Sequence, residues 1–177
     1  MKSTGIYLRF DGNCAEAFAH YSTIFQTKLK ACMTNAESPM KDKIPEEYLD
    51  KILHCSLDVG LGDSFAIMGC DFNPAMHGGA NNDHHHQLVA GTNFQICLTP
   101  STKEETERLF TELSQDGGKV IIPLSEQFWG SYFGTVMDKF GIQWMFDFPS
   151  GTNGDSNKHA LENNTEESEP DSKKVKN

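Results

Sequence analysis

The chain has 177 residues, is 37% hydrophobic and 23% charged, and carries a formal net charge of −10. That composition suits one ordinary domain or two small modules with a real core. The acidic balance argues against nucleic acid and anionic membranes as partners, and no apolar run approaches the roughly 18 residues of a membrane-spanning helix.

The N-terminal stretch MKSTGIYLRF shows no leader-type apolar region, so a cytoplasmic protein is expected. Residues 4–10 alternate like a strand, and Asp11-Gly12-Asn13 punctuates. Asn13 with Glu16 three residues later forms an N-x-x-E variant of a capping box. Cys14, Ala17, Phe18, Tyr21, Ile24 and Phe25 then fall on one helical stripe, which is expected to end near Gln26. Leu29 to Thr34 reads as a strand. Residues 35–51 read as a loop with a helical turn at Pro45-Glu46-Glu47-Tyr48-Leu49. Residues 52–69 read as a hairpin turning at Gly60-Leu61-Gly62-Asp63.

Residues 71–90 form a long Gly- and Asn-rich loop carrying His77 and the run His84-His85-His86. Adjacent side chains in an extended chain point to opposite faces, so the triplet suits adventitious metal binding better than a built site. The first half then repeats. Residues 91–98 are expected as a strand, Ser101 with Glu104 as a cap, and Thr106, Leu109, Phe110 and Leu113 as a buried helix stripe. Asp116-Gly117-Gly118 ends the helix. Lys119 to Pro123 is expected as a strand, 124–130 as a loop, and the aromatic stretch to Phe148 as a hairpin. The order is β-α-β-β-β twice, an α+β architecture of two modules at about 4–70 and 91–148 within a domain of residues 1–149. Residues 150–177 hold six acidic and four basic residues and almost nothing apolar, which predicts a disordered polar tail. Its Lys173-Lys174-Val175-Lys176 is too short to carry weight as a nuclear-import signal.

Several stretches resemble one family: YLRFDGNCAEAF from Tyr7, LHCSL from Leu53, IMGCD from Ile67, FWGSYFG from Phe128 and DKFGIQWM from Asp138. Together they resemble the PhnB-like branch of the vicinal oxygen chelate superfamily, the glyoxalase, bleomycin-resistance and dioxygenase group, over residues 4–148. That resemblance implies two βαβββ modules forming a curved mixed sheet with a concave pocket, and commonly a homodimer. In metal-dependent relatives His or Glu stands on the first and fourth strand of each module, which falls at about Gly5, Met68, Asn93 and Met145 here. None is a His or a carboxylate, so no metal or other cofactor is expected. A methyltransferase label also attaches to this branch, but no Gly-rich cofactor loop follows the first strand.

The expected activity is therefore binding of a small organic molecule. His54, Asn93, Trp129, Tyr132 and Trp144 are the candidate binding residues, and His54 and Glu126 the candidate catalytic ones. Each has a plainer alternative: a hydrogen-bonded strand histidine for His54, core or dimer contact for the aromatics, loop polarity for Glu126. Asp11 and Asp63 are assigned to turns and Asp71 to the end of a strand, all without catalysis. Two other readings remain: a metal-dependent lyase or dioxygenase with non-standard ligands, and a non-catalytic partner-binding protein. Cysteines 14, 32, 55, 70 and 97 contain no CxxC pair and read as reduced thiols.

Overall fold

The computed structural model describes residues 4–59, 65–74 and 88–150. The expected Asp63 turn, His77, the His84–His86 run and nearly all of the polar tail lie outside these residues.

The first half runs β1 (Thr4–Phe10), α1 (Cys14–Ile24), β2 (Leu29–Thr34), β3 (Ile52–Asp58) and β4 (Phe65–Asp71). The second runs β5 (Ile96–Leu98), α2 (Lys103–Ser114), β6 (Lys119–Glu126), β7 (Ser131–Met137) and β8 (Gln143–Pro149). The strands form two four-stranded sheets, ordered β1-β4-β3-β2 and β5-β8-β7-β6. In each, the first strand pairs in parallel with the last of its module and the other pairs are antiparallel. The α+β fold of two repeated modules is as the sequence implies.

Strand alternation decides what each sheet buries. In β1, Leu8 and Phe10 are buried while Tyr7 remains 47% exposed. In β8, Trp144 and Phe146 are fully buried. The inner faces of both sheets meet the helices in one core. Tyr21 and Phe25 of α1 pack on Trp144, and Phe110 of α2 packs on Phe146. Among the described residues, no helix covers the opposite, outer face of either sheet.

Two glycines set how closely helix and sheet approach. A Cβ on Gly69 would lie 2.8 Å from the Phe18 ring and 2.9 Å from the Leu8 carbonyl oxygen. A Cβ on Gly134 would lie 2.8 Å from the Phe110 ring and 2.8 Å from the Leu124 Cα. Each glycine lets an aromatic ring of its module's helix rest against strand backbone.

Local expectations are corrected in four places. Asn13 precedes α1, but its side chain makes no capping bond. The Cys14 amide donates instead to Asp71 Oδ1 at 2.8 Å, and the Ile52 amide donates to Asp71 Oδ2 at 2.8 Å. The cap of α2 is Thr102 rather than Ser101: its hydroxyl accepts from the Glu105 amide at 3.1 Å, and Glu105 accepts from the Ser101 amide at 3.0 Å. β5 is only three residues long, because 91–94 do not join the ladder. β6 runs through the expected loop to Glu126, leaving residues 127–130 as the turn.

Candidate functional site

The outer face of the first sheet brings together Tyr7 and Arg9 of β1, His54 and Ser56 of β3, and Met68 of β4. Register fixes the set: Tyr7 lies opposite Met68, and Met68 opposite Ser56. The Tyr7 hydroxyl is 3.3 Å from His54 Nδ1, and the two rings lie 5.8 Å apart. Burial, then the neighbouring Cys70 thiol, raises the Tyr7 phenol far above its usual range. The phenol therefore keeps its proton, and the Tyr7 hydroxyl and His54 Nδ1 share one hydrogen bond in which either partner can donate, according to the imidazole tautomer.

Tyr7 and Arg9 also wall a groove of about 560 Å³. It runs along the unpaired edge of β1 and is completed by Asp11, Val89, Phe94 and Phe140. Flat apolar walls with a cation, a carboxylate and a phenol at the rim are the make-up of a small-molecule site.

The other sequence candidates do not gather there. Trp144 is fully buried and donates from Nε1 to Asp138 Oδ2 at 2.8 Å. Tyr132 and Glu126, paired in register, face α2. Tyr132 bonds Glu107 at 3.1 Å beneath the Lys103 ammonium, which also pairs with Glu126 at 3.2 Å. Trp129 is 49% exposed and packs between Phe128 and Phe133. Asn93 is exposed in the segment before β5, next to the groove residue Phe94. Tyr7, Arg9 and Phe140 were missed, although the alternation of TGIYLRF already separates Tyr7 and Arg9 from Leu8 and Phe10.

The outer face of the second sheet holds two buried atoms without a hydrogen-bond partner, Thr135 Oγ1 and Asp147 Oδ1. Cys97 and Met145 are cross-strand partners there, as are Thr135 and Met145, and Phe133 and Asp147.

The four positions that the family resemblance assigns to metal ligands carry no His or carboxylate. Gly5 offers no side chain, Met68 and Met145 offer only thioethers, and Asn93 precedes its strand. Among the described residues no three His, Cys, Asp or Glu side chains converge as a metal site. The turn after β1 has the single glycine Gly12, at φ 79°.

Two four-stranded βαβββ modules, each with one helix, give the chain the fold of a solved glyoxalase/bleomycin resistance protein/dioxygenase family enzyme from Burkholderia phytofirmans, 14% identical with a TM-score of 0.51 over 84% of this chain and 97% of that one. The profile of the family described as 3-demethylubiquinone-9 3-methyltransferase matches residues 2–146, and the chain belongs to that family. The chain is similar to protein PA1353 from Pseudomonas aeruginosa, 36% identical with a TM-score of 0.67, over 82% of this chain and 96% of that one. Protein YjdN of Escherichia coli K12 is 28% identical over 149 residues, 80% of this chain and 91% of that protein. A Bacillus cereus PhnB protein described as a putative 3-demethylubiquinone-9 3-methyltransferase shares the fold at 20% identity and a TM-score of 0.58, covering 82% of this chain and 98% of that one.

Proposed function

We propose that the protein binds a small organic molecule in the groove along β1, without a metal ion, and that it works as a homodimer in the cytoplasm. The observation that carries this reading is the Tyr7–His54 hydrogen bond at the wall of the 560 Å³ groove. Tyr7 with His54 presents a hydrogen-bonding pair, Arg9 a cation and Phe94 with Phe140 an apolar bed. That set suits an aromatic or carbonyl-bearing anion. Support for the dimer comes from the uncovered outer faces, where Ile122 is 42% and Trp129 49% exposed beside the unpartnered Thr135 and Asp147 atoms. A second copy would cover apolar surface there and supply partners for the polar atoms. Five unbridged thiols suit a reducing compartment.

The test is a thermal-shift screen of aromatic and carbonyl-bearing acids against untagged, chelator-dialysed protein. The expected result is a ligand that raises Tm in the wild type and fails to do so in Arg9→Ala and His54→Ala. A ligand whose shift survives both substitutions would move the site elsewhere. One tightly held metal per chain, lost in His54→Ala, would replace this reading with a metal-dependent lyase or dioxygenase. Sedimentation at micromolar concentration is expected to give a dimer, and Ile122→Glu a monomer. A wild-type monomer would remove the dimer from the proposal.

A further inference from the structure

Three sulfurs meet at the edge of the first sheet, on its inner side and away from the groove. Cys14 opens α1, Cys55 sits in the middle of β3, and Cys32 stands directly opposite Cys55 across the β2–β3 pair. The Cys14 and Cys32 thiols both neighbour Cys55. Cys14 and Cys55 are buried, whereas Cys32, on the edge strand, is exposed. We propose that Cys32 and Cys55 are a hydroperoxide-reactive thiol pair that closes into a cross-strand disulfide, with Cys14 as the supporting hydrogen-bond donor.

The geometry meets what a disulfide needs. Directly opposed residues of an antiparallel pair have Cα atoms about 4.5 or 5.5 Å apart, within the roughly 4.4–6.8 Å that a disulfide spans. The register is continuous from Ala31 through Met33, so no bulge separates the two cysteines. An edge strand can also adjust its position without disturbing a second neighbour.

The electrostatics of the cluster favour one shared negative charge. Donation from Cys14, and then from Cys32, lowers the Cys55 thiol to about 7 against its own burial. Burial, then the bond to Cys55, pushes Cys32 up to about 12. The bond to Cys55, then burial, raises Cys14. Asp71 from β4 and Glu37 from the turn after β2 also face the cluster, and both oppose negative charge on it. Cys70 faces Cys14 from β4. The pair thus holds a single thiolate near neutrality. That charge sits on Cys55, which serves as the base for the exposed Cys32 thiol.

The chemistry balances with a hydroperoxide as the oxidant. Cys32 gives its proton to the Cys55 thiolate as its sulfur attacks the terminal peroxide oxygen, an S–O bond forms, the O–O bond breaks, and the departing alkoxide leaves as the alcohol after taking a proton from water. Cys55 then attacks the sulfenic sulfur of Cys32. The S–S bond forms, the S–O bond breaks, and the expelled hydroxide takes the Cys55 proton to leave as water. Two thiols are oxidised and one peroxide is reduced.

This inference is independent of the ligand reading, because it uses neither Tyr7, His54 nor the groove. The experiment treats the reduced full-length protein with one equivalent of hydrogen peroxide, followed by intact mass and non-reduced peptide mapping. The expected product has lost two hydrogens, carries a Cys32–Cys55 crosslinked peptide and reverts with dithiothreitol. Cys32→Ser, at an exposed position, is expected to keep the wild-type circular dichroism and to lose the crosslink entirely. The rate is expected to rise about tenfold per pH unit below 7 and to level off above it, as a single deprotonation requires. Oxygen added to unbridged sulfurs, a Cys14–Cys55 bridge, an intermolecular link through Cys97, or a pH-independent rate would each overturn the proposal.

Discussion

At the scale of single residues, two buried carboxylates do structural work that their neighbours in sequence do not announce. Asp138 is 2% exposed and accepts four hydrogen bonds. Oδ1 takes the Phe140 and Ile142 amides at 2.9 and 3.0 Å, and Oδ2 takes the Tyr21 hydroxyl and Trp144 Nε1 at 2.7 and 2.8 Å. Asp138→Ala strips four donors of their acceptor and is expected to cost on the order of 3 kcal/mol or more, read from the urea midpoint. His20 gives the protein a sensitivity to acid. Its Nε2 is buried without a hydrogen-bond partner, and burial, then Lys139, lowers its basicity, partly offset by Asp138, Asp116 and Glu16. The unfolded chain therefore takes up this proton first as pH falls. The His20 contribution is complete above about pH 7 and is lost as pH drops through the unfolded value of about 6.5. The urea midpoint is expected to fall less between pH 7 and 5 in His20→Leu than in the wild type. Equal falls would show that His20 is not responsible.

At the scale of elements, the module order was legible because period-2 and period-3.6 patterns alternate cleanly along the chain. What the sequence left open was any choice between adjacent residues of equal chemistry. Ser101 and Thr102 are both good caps. The extended backbone at Thr102, φ −138° and ψ 161°, aims its hydroxyl at the Glu105 amide, and only the entry path of the chain decides that. Thr102→Ala is expected to destabilise the fold by about 1 kcal/mol. Trp144 drew notice as a candidate because it is large and aromatic, but its indole partner lies six residues earlier in the same hairpin. Tyr7 was passed over because a half-exposed tyrosine at an edge acquires meaning only once β3 places His54 beside it. Gly134 sits where a methyl group has no room, so Gly134→Ala is expected to cost about 1–3 kcal/mol through displacement of Phe110. Unchanged stability in that variant would mean that α2 shifts freely.

At the scale of the molecule, the two halves share one interior. Phe10, Phe140, Tyr21 and Trp144 form a chain of edge-on rings running from β1 across α1 into β8. Arg108 of α2 adds a bond to the Ile24 carbonyl at the end of α1, at 2.9 Å. Neither module closes its core alone, so unfolding is expected as one transition by both tryptophan fluorescence and circular dichroism. Two resolved transitions would mean that the modules are independent.

The position of Asp71 also bears on how the chain is made. It is the last residue of β4, yet its carboxylate completes the start of α1 and the start of β3. Among the described residues β1 pairs with β4 alone, and β4 is synthesised last in its module. The N-terminal strand and helix must therefore wait, unpaired and uncapped, until residue 71 emerges. A nascent chain is expected to stay protease-sensitive short of that length, and to gain full resistance only when the second half has joined the shared core. Its growing end, rather than its beginning, locks the first half in place.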